Sequence, residues 1–139
     1  MARAIMGGTG VKAEAHRHHC TLVPYVLPST MIEVREYLDA HGRSPYSAWF
    51  ERLNREGAVK VAAALARMQQ GNLSSVKGVG TGVYEYRIDF GPGYRIYFGK
   101  DGDRMVILVG GGTKKRQQQD IQTALARWQD YKQRNGAGG

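Results

Sequence analysis

Five polar side chains alternate with apolar ones along two neighbouring segments, and together they could bind a phosphodiester. They are Glu85, Arg87, Asp89, Arg95 and Tyr97. Guanidiniums bind phosphate oxygens and stabilise developing negative charge, while a carboxylate or a phenol can exchange protons with a substrate. The alternative interpretation is a solvated sheet face that holds no more than one cross-strand ion pair.

A second candidate is the basic segment that follows a run of three glycines. Gly110-Gly111-Gly112 is followed directly by Thr113, Lys114, Lys115 and Arg116. We expect this segment to join a strand to the N-terminus of a helix, where free backbone N–H groups form a cradle for an anion. Three cations in a first helical turn oppose the helix dipole, so a bound anion would explain their presence. A solvated basic turn is the alternative.

A three-stranded antiparallel meander has to position both groups. Residues 83–90 and 94–98 alternate between apolar and polar on either side of Gly91-Pro92-Gly93. Asp101-Gly102 then predicts a hairpin that leads into a short apolar strand at 105–109. We expect this last strand to lie at the centre of the sheet.

The proposed turn at residues 91–93 also predicts which side chains face each other. It places Arg87 opposite Tyr97 and Asp89 opposite Arg95. The apolar side chains of the same two strands then point to the other face, which must be the core. These are Tyr84, Tyr86, Ile88, Phe90, Tyr94, Ile96 and Phe98.

The rest of the pattern predicts one more strand and three helices. A strand is expected from Met31 to about Leu38, and a helix begins at Ser44-Pro45. A second helix ends at Gly71, and the last helix runs over about 113–135. The order is therefore β-α-α-β-β-β-α. We predict the α+β class, with a curved, mainly antiparallel sheet and the helices packed on one face.

The charge balance favours an anionic partner. The chain of 139 residues has a formal net charge of +8, and its one cysteine excludes a scaffold held by internal disulfides. Residues 72–139 contain eleven basic and six acidic side chains, so they carry +5 of the total. No segment reaches the roughly 18 apolar residues that predict a membrane span, so no membrane partner is expected. Nucleic acid is the first candidate and an acidic protein the second.

The beginning of the chain reads differently from the rest. We expect residues 1–30 to be a disordered N-terminal extension and residues 31–139 to form a single domain. The extension contains a cluster of metal-ligand types, namely His16, His18, His19 and Cys20. The chain offers no second cluster to complete a tetrahedral site, which favours a solvated tail over a metal centre. No cofactor is expected.

At its polar strands and basic turn the chain resembles the RelE/ParE superfamily of bacterial toxins, and within it the HigB-like, phage-derived addiction module killer proteins. The resemblance rests on Gly-Val-Tyr-Glu-Tyr-Arg-Ile-Asp at 82–89, Gly-Pro-Gly-Tyr-Arg-Ile-Tyr-Phe at 91–98 and Gly-Gly-Gly-Thr-Lys-Lys-Arg at 110–116. It implies a RelE-like fold and the toxin of a toxin–antitoxin module. The implied activity is a cytoplasmic RNase that cuts mRNA in the ribosomal A site without a metal or cofactor.

The resemblance also implies roles for individual residues. Arg95 matches the family arginine that contacts the scissile phosphate, and Glu85 and Arg87 fall where RelE has two catalytic lysines. Lys115 or its neighbour Lys114 matches a basic residue that stabilises the leaving group. The family tyrosine of the last helix is replaced by Ile121, so Glu85 becomes the candidate base and Tyr97 the second. The candidate RNA-binding residues are Lys77, Thr113, Lys114 and Arg116.

Partners and rival functions follow from the same resemblance. The expected partners are a cognate antitoxin of the helix-turn-helix type and mRNA on the ribosome, with operator DNA bound only through the antitoxin. The first alternative is a ParE-like DNA gyrase poison, which acts by binding. The second is a non-catalytic module that binds nucleic acid or an antitoxin.

Overall fold

The structure is a computed structural model, and it describes residues 2–4 and 31–136. In chain order the elements are β1 Ala2–Ala4, β2 Glu33–Tyr37, α1 Pro45–Glu51, α2 Arg55–Gln69, β3 Val76–Gly80, β4 Val83–Ile88, β5 Tyr94–Lys100, β6 Met105–Thr113 and α3 Gln117–Asn135. A 3₁₀ turn, Lys114–Arg116, leads into α3. None of these helices is long and apolar enough to span a bilayer.

The described strands form one mixed sheet in the order β1-β2-β6-β5-β4-β3. Only β2 and β6 pair in parallel, and the other neighbours are antiparallel. The α+β class, the mainly antiparallel sheet and the central position of β6 are therefore confirmed. A parallel pair needs a long crossover, and α1, α2 and the meander provide it.

The helix ends follow the capping residues in the sequence. The Ser44 hydroxyl accepts a hydrogen bond from the Ser47 amide at 3.0 Å, and Pro45 occupies the first helical position. The Asn54 side chain caps α2 in the same way through the Gly57 amide at 2.7 Å. Beyond the last turn of α2, Gly71 adopts a φ of 86° that other residues rarely tolerate. Both predicted helix boundaries are confirmed.

The sheet carries a buried core on each of its two faces. With α1 and α2, the core includes Trp49, Val61, Met68, Ile96, Phe98 and Leu108. With α3, it includes Val83, Tyr97, Ile107, Val109, Ala124 and Trp128. The predicted inward face of the meander is confirmed, because all seven of its apolar side chains belong to the first cluster or pack against it.

The prediction that all helices pack on one face is wrong. In β6, Val106 and Leu108 belong to the core beneath α1 and α2, whereas Ile107 and Val109 belong to the core beneath α3. A strand that is apolar on both sides needs cover on both. As a result, α3 partly covers the polar face of the meander, which the sequence pattern predicts to be exposed to solvent.

Two further differences concern the strands themselves. The edge strand β3 was not predicted, since its two glycines and its irregular register near Gly78 break the alternation. Within the expected N-terminal extension, Ala2–Ala4 pairs antiparallel with β2. Residues 5–30, including the histidine–cysteine cluster, lie outside the described residues, and the extension remains a prediction.

Candidate functional site

The register between β4 and β5 differs from the predicted one by two residues. Arg87 pairs with Arg95, and Glu85 pairs with Tyr97. The predicted pairs of Arg87 with Tyr97 and Asp89 with Arg95 are therefore wrong. The strands end at Ile88 and Tyr94, so the connection is longer than the three residues expected. A slip of two residues preserves the side-chain faces, because the strand period is two.

Glu85 is the centre of the polar cluster on the α3 face. Its side chain has 0% exposed surface. The Arg87 Nε donates a hydrogen bond to one carboxylate oxygen at 2.9 Å, and the Gln117 amide donates to the other at 2.6 Å. The Arg95 Nε lies 3.9 Å from the second oxygen. A buried carboxylate with both oxygens engaged is well placed to orient two guanidiniums.

Two buried donors beside Glu85 have no hydrogen-bond partner in the described part of the chain. They are the Nε of Arg95 and the hydroxyl of Tyr97, whose side chains are almost completely buried. Burial and the neighbouring charges of Glu85 and Asp120 raise the pKa of Tyr97 well above its ordinary value. The phenol therefore stays protonated near neutral pH, which suits a proton donor better than a base.

The basic turn adjoins this cluster through backbone contacts. The Lys114 amide donates to the Gly93 carbonyl at 2.8 Å, and Arg95 pairs with Gly112 across β5 and β6. The exposed side chains around it are Lys114, Lys115 and Arg116, with Thr113 half-buried at the strand end. Lys77 is exposed on β3 and pairs with Glu85 in the sheet register. The structure thus places all nine candidate residues around one end of α3.

The glycine cradle is not present as predicted. Gly110, Gly111 and Gly112 continue strand β6 and pair with β5, so they do not form the expected loop. Their lack of side chains has another use. A Cβ at Gly111 would collide with the Trp49 ring, and one at Gly112 would collide with the Asp120 carboxylate. A Cβ at Gly110 would lie 2.7 Å from the Arg127 guanidinium.

A cleft between α1 and α3 contains residues that the sequence analysis missed. Its volume is about 390 Å³, and its floor is the glycine run of β6. Its walls include Trp49, Arg52, Tyr97, Arg116, Asp120 and Arg127. Burial raises the pKa of Asp120 above its usual value against the lowering effect of Arg116 and Arg127. Burial likewise lowers the pKa of Arg127.

No local signal in the sequence marks these additional residues. Arg52 and Asp120 are far apart in the chain, and α1 meets the end of β6 only through tertiary packing. Ile121, which the resemblance to RelE aligns with a tyrosine, packs against the core beneath α3 and does not line the cleft. Among residues 31–136 and 2–4, no group of three His, Cys, Asp or Glu side chains is arranged to hold a metal.

Sequence comparison places this site within a known family. The profile described as Phage derived protein Gp49-like (DUF891) matches residues 48–129, more than half of the chain. The chain belongs to this Gp49-like family. The family is toxin-like and related to addiction modules. The match spans all nine candidate residues and every residue that lines the cleft except Pro45.

One relative shares a segment of similar length. An uncharacterized protein of Haemophilus influenzae is 39% identical over 80 residues, which cover 57% of this chain and 81% of that protein. The shared length agrees with the extent of the Gp49-like match.

Proposed function

We propose that this Gp49-like protein is the toxin of a toxin–antitoxin module and acts as a ribosome-dependent mRNA endoribonuclease in the cytoplasm. One observation carries the proposal. The buried Glu85 carboxylate orients Arg87 and approaches Arg95, and the exposed basic turn lies directly beside them. Such a cluster can bind a phosphodiester and stabilise the extra charge of a pentacoordinate phosphate.

The proposed reaction needs no metal in its chemistry. The 2′-hydroxyl oxygen forms a bond to the adjacent phosphorus, and the bond from phosphorus to the 5′-oxygen breaks. A base takes the 2′-hydroxyl proton, and an acid protonates the leaving 5′-oxygen. The products are a 2′,3′-cyclic phosphate and a 5′-hydroxyl. Arg87, Arg95 and Lys115 supply the positive charge around the phosphate.

The geometry changes the role proposed for Glu85. Because Arg87 and Gln117 engage both of its oxygens and no surface is exposed, Glu85 acts in this proposal as a positioning residue. Asp120 is the better candidate for the base. Its half-buried carboxylate lies over Gly112, the strand neighbour of Arg95, and burial raises its pKa. The Tyr97 hydroxyl lines the cleft but is buried like Glu85, so this proposal gives it no proton-transfer role.

The ribosome and an antitoxin complete the proposal. Ribosome-bound mRNA can be held in line for attack, which lowers the barrier without further groups from the toxin. The exposed cations Lys114, Lys115 and Arg116 would bind RNA phosphates, and an acidic segment of the antitoxin could cover the same surface. We propose a cognate antitoxin of the helix-turn-helix type.

The test is induction of the full-length chain in bacteria, followed by mapping of transcript ends. We expect cuts within translated codons. Arg87→Ala and Lys115→Ala should each reduce cleavage, the former by at least about 100-fold. Arg35→Ala is the matched control, because Arg35 also donates its Nε to a glutamate two residues earlier, at 2.6 Å, but lies on β2. It should cleave like the unmodified chain.

Two outcomes would overturn the RNase proposal. Intact transcripts with DNA breaks and an SOS response would favour a gyrase poison. Intact transcripts without DNA damage would favour a binding module. Circular dichroism of each variant checks that the fold is retained, and Lys115→Ala keeps the test valid if Arg87→Ala unfolds, because the Lys115 side chain is exposed.

A further inference from the structure

The cleft between α1 and α3 extends beyond the residues used in the proposed reaction. Tyr97, Gly112 and Asp120 form the side nearest to Arg95, and Trp49, Arg52 and Arg127 form the rest of the wall. Trp49, Arg52 and Arg127 have no role in the proposed reaction. The cleft volume of about 390 Å³ lies at the lower end of the roughly 300–1,000 Å³ usual for small-ligand sites, a size suited to one nucleotide.

The charge of the cleft favours an anion. Three arginines line it, Arg52, Arg116 and Arg127, against the single carboxylate of Asp120. The Arg127 guanidinium donates to the Val109 carbonyl at 2.8 Å, which fixes its direction, and Asp120 acts on its charge only from beyond salt-bridge distance. Within the described residues, the Arg52 and Arg116 side chains have no hydrogen-bond or ion-pair partner. Guanidiniums without a carboxylate at salt-bridge distance can bind phosphate oxygens.

The cleft also has an apolar wall and an unused donor. Trp49 lies directly on Gly111, so the glycine brings the indole to the cleft floor. An aromatic ring in such a place can contact a nucleobase. The buried Tyr97 hydroxyl, one of the lining groups, has no hydrogen-bond partner in the described part of the chain. An unpartnered buried donor is costly unless a ligand satisfies it.

We propose that this cleft is a nucleotide subsite that binds the RNA residue next to the scissile phosphate, with its phosphate on Arg52 and Arg127 and its base against Trp49. The inference rests on the proposed function, because it takes RNA as the substrate. In this proposal the glycines at 110–112 form the floor of the subsite. The subsite also places part of the substrate selectivity on α1, outside the polar strands.

The test is equilibrium binding of a short RNA to the full-length chain. The probe is a 2′-O-methyl RNA trinucleotide, which lacks the attacking hydroxyl and cannot be cleaved by the proposed reaction. Arg52→Ala should weaken binding about tenfold and lower the salt dependence of log K by about one phosphate contact. Arg104→Ala is the control, because Arg104 is exposed in the turn at the opposite end of β6. It should change affinity by less than about twofold.

Tryptophan fluorescence gives a second readout on the same samples. Trp49 lines the cleft, whereas Trp128 packs against Gly82 and Gly99 beneath α3. Binding of the trinucleotide should change the emission, and Trp49→Phe should remove that change. Equal affinities of Arg52→Ala and Arg104→Ala, or an unaltered emission change in Trp49→Phe, would overturn the subsite.

The failure of the subsite and the failure of the RNase proposal have different signatures. If the chain cleaves no transcript but Arg52→Ala still weakens RNA binding, catalysis is refuted and the subsite stands. If transcripts are cleaved while Arg52→Ala binds normally, the subsite is refuted alone. A free 5′-mononucleotide that binds as tightly as the trinucleotide would also refute an RNA subsite, since the cleft would then take a free nucleotide.

Discussion

Glu85 shows how strongly one side chain can depend on its neighbours. A carboxylate removed from water is stable only when hydrogen bonds and opposite charges replace its hydration. Arg87 and Gln117 supply the hydrogen bonds, and Arg95 lies 3.9 Å away. The dependence is mutual, because the buried Arg95 has no other carboxylate within salt-bridge distance in the described residues.

We predict that Glu85→Gln lowers the free energy of unfolding by about 3 kcal/mol, because it leaves the Arg95 guanidinium buried without a countercharge. Urea denaturation measures the change. Glu33→Gln is the control, since the exposed Glu33–Arg35 pair should contribute less than about 1 kcal/mol. Equal losses in the two variants would show that Glu85 does not stabilise the cluster.

The residue types of the site could be predicted from the sequence, but their contacts could not. Strand alternation placed Glu85, Arg87 and Arg95 on one face, and that assignment survived the two-residue change in register. The pairing itself depended on where the turn began. Burial of the cluster depended on α3 docking over it through Gln117, a contact 32 residues along the chain from Glu85. Local patterns do not contain such long-range information.

At the scale of elements, glycines in strand interiors decide where the helices dock. Gly99 in β5 lies directly under Trp128 of α3, and Gly111 in β6 lies under Trp49 of α1. A run of glycines is typical of a loop, and the sequence therefore predicts a cradle at 110–112. The sequence pattern does not show that Trp49 and Trp128, which are distant in sequence from these glycines, pack directly on the strands where a side chain is absent. The start of α1 and the end of α2, in contrast, were predictable because their capping residues are local. The predicted start of the last helix at about 113 is wrong, because a 3₁₀ turn precedes α3, which begins at Gln117 without a side-chain cap.

We predict that Gly99→Ala destabilises the protein by about 2 kcal/mol, because the added methyl group would overlap the Trp128 ring. Gly78→Ala is a matched control within another strand. Its Cβ would come no closer than 3.9 Å to Tyr84, so it should be neutral or slightly stabilising. Thermal and urea unfolding compare the two. If Gly99→Ala is as stable as Gly78→Ala, Trp128 does not rest on β5 as described.

At the scale of the whole molecule, folding brings together basic residues that lie in different segments of the chain. Residues 72–139 carry +5 of the net charge of +8, so the sequence places the anion site in the second half. Packing of α1 against the end of β6 adds Arg52 from the first half to the same cleft. The cationic surface therefore consists of both halves of the domain and forms only when the domain folds.

The whole fold should also respond to alkaline pH through its buried tyrosines. Burial is the main cause that raises the pKa of Tyr46, Tyr97 and Tyr131 above the ordinary value of 10.0. The folded state thus binds these protons more tightly than the unfolded state. Its full stability is present below pH 10.0 and declines as pH rises towards the folded-state pKa values, by up to about 1.4 kcal/mol per pH unit for each such tyrosine.

Denaturation at a series of pH values above about 9, with phenolate absorbance recorded in parallel, measures this decline. We expect these three of the eight tyrosines to ionise only as the protein unfolds. Tyr46→Phe is the decisive variant, because its buried hydroxyl has no hydrogen-bond partner among the described residues. It should keep or raise the free energy of unfolding at neutral pH. It should also reduce the loss of that free energy at alkaline pH by up to about 1.4 kcal/mol per pH unit, the contribution of one tyrosine. An unchanged slope would mean that Tyr46 ionises without unfolding, and that the packing of α1 on the sheet opens locally before the domain does.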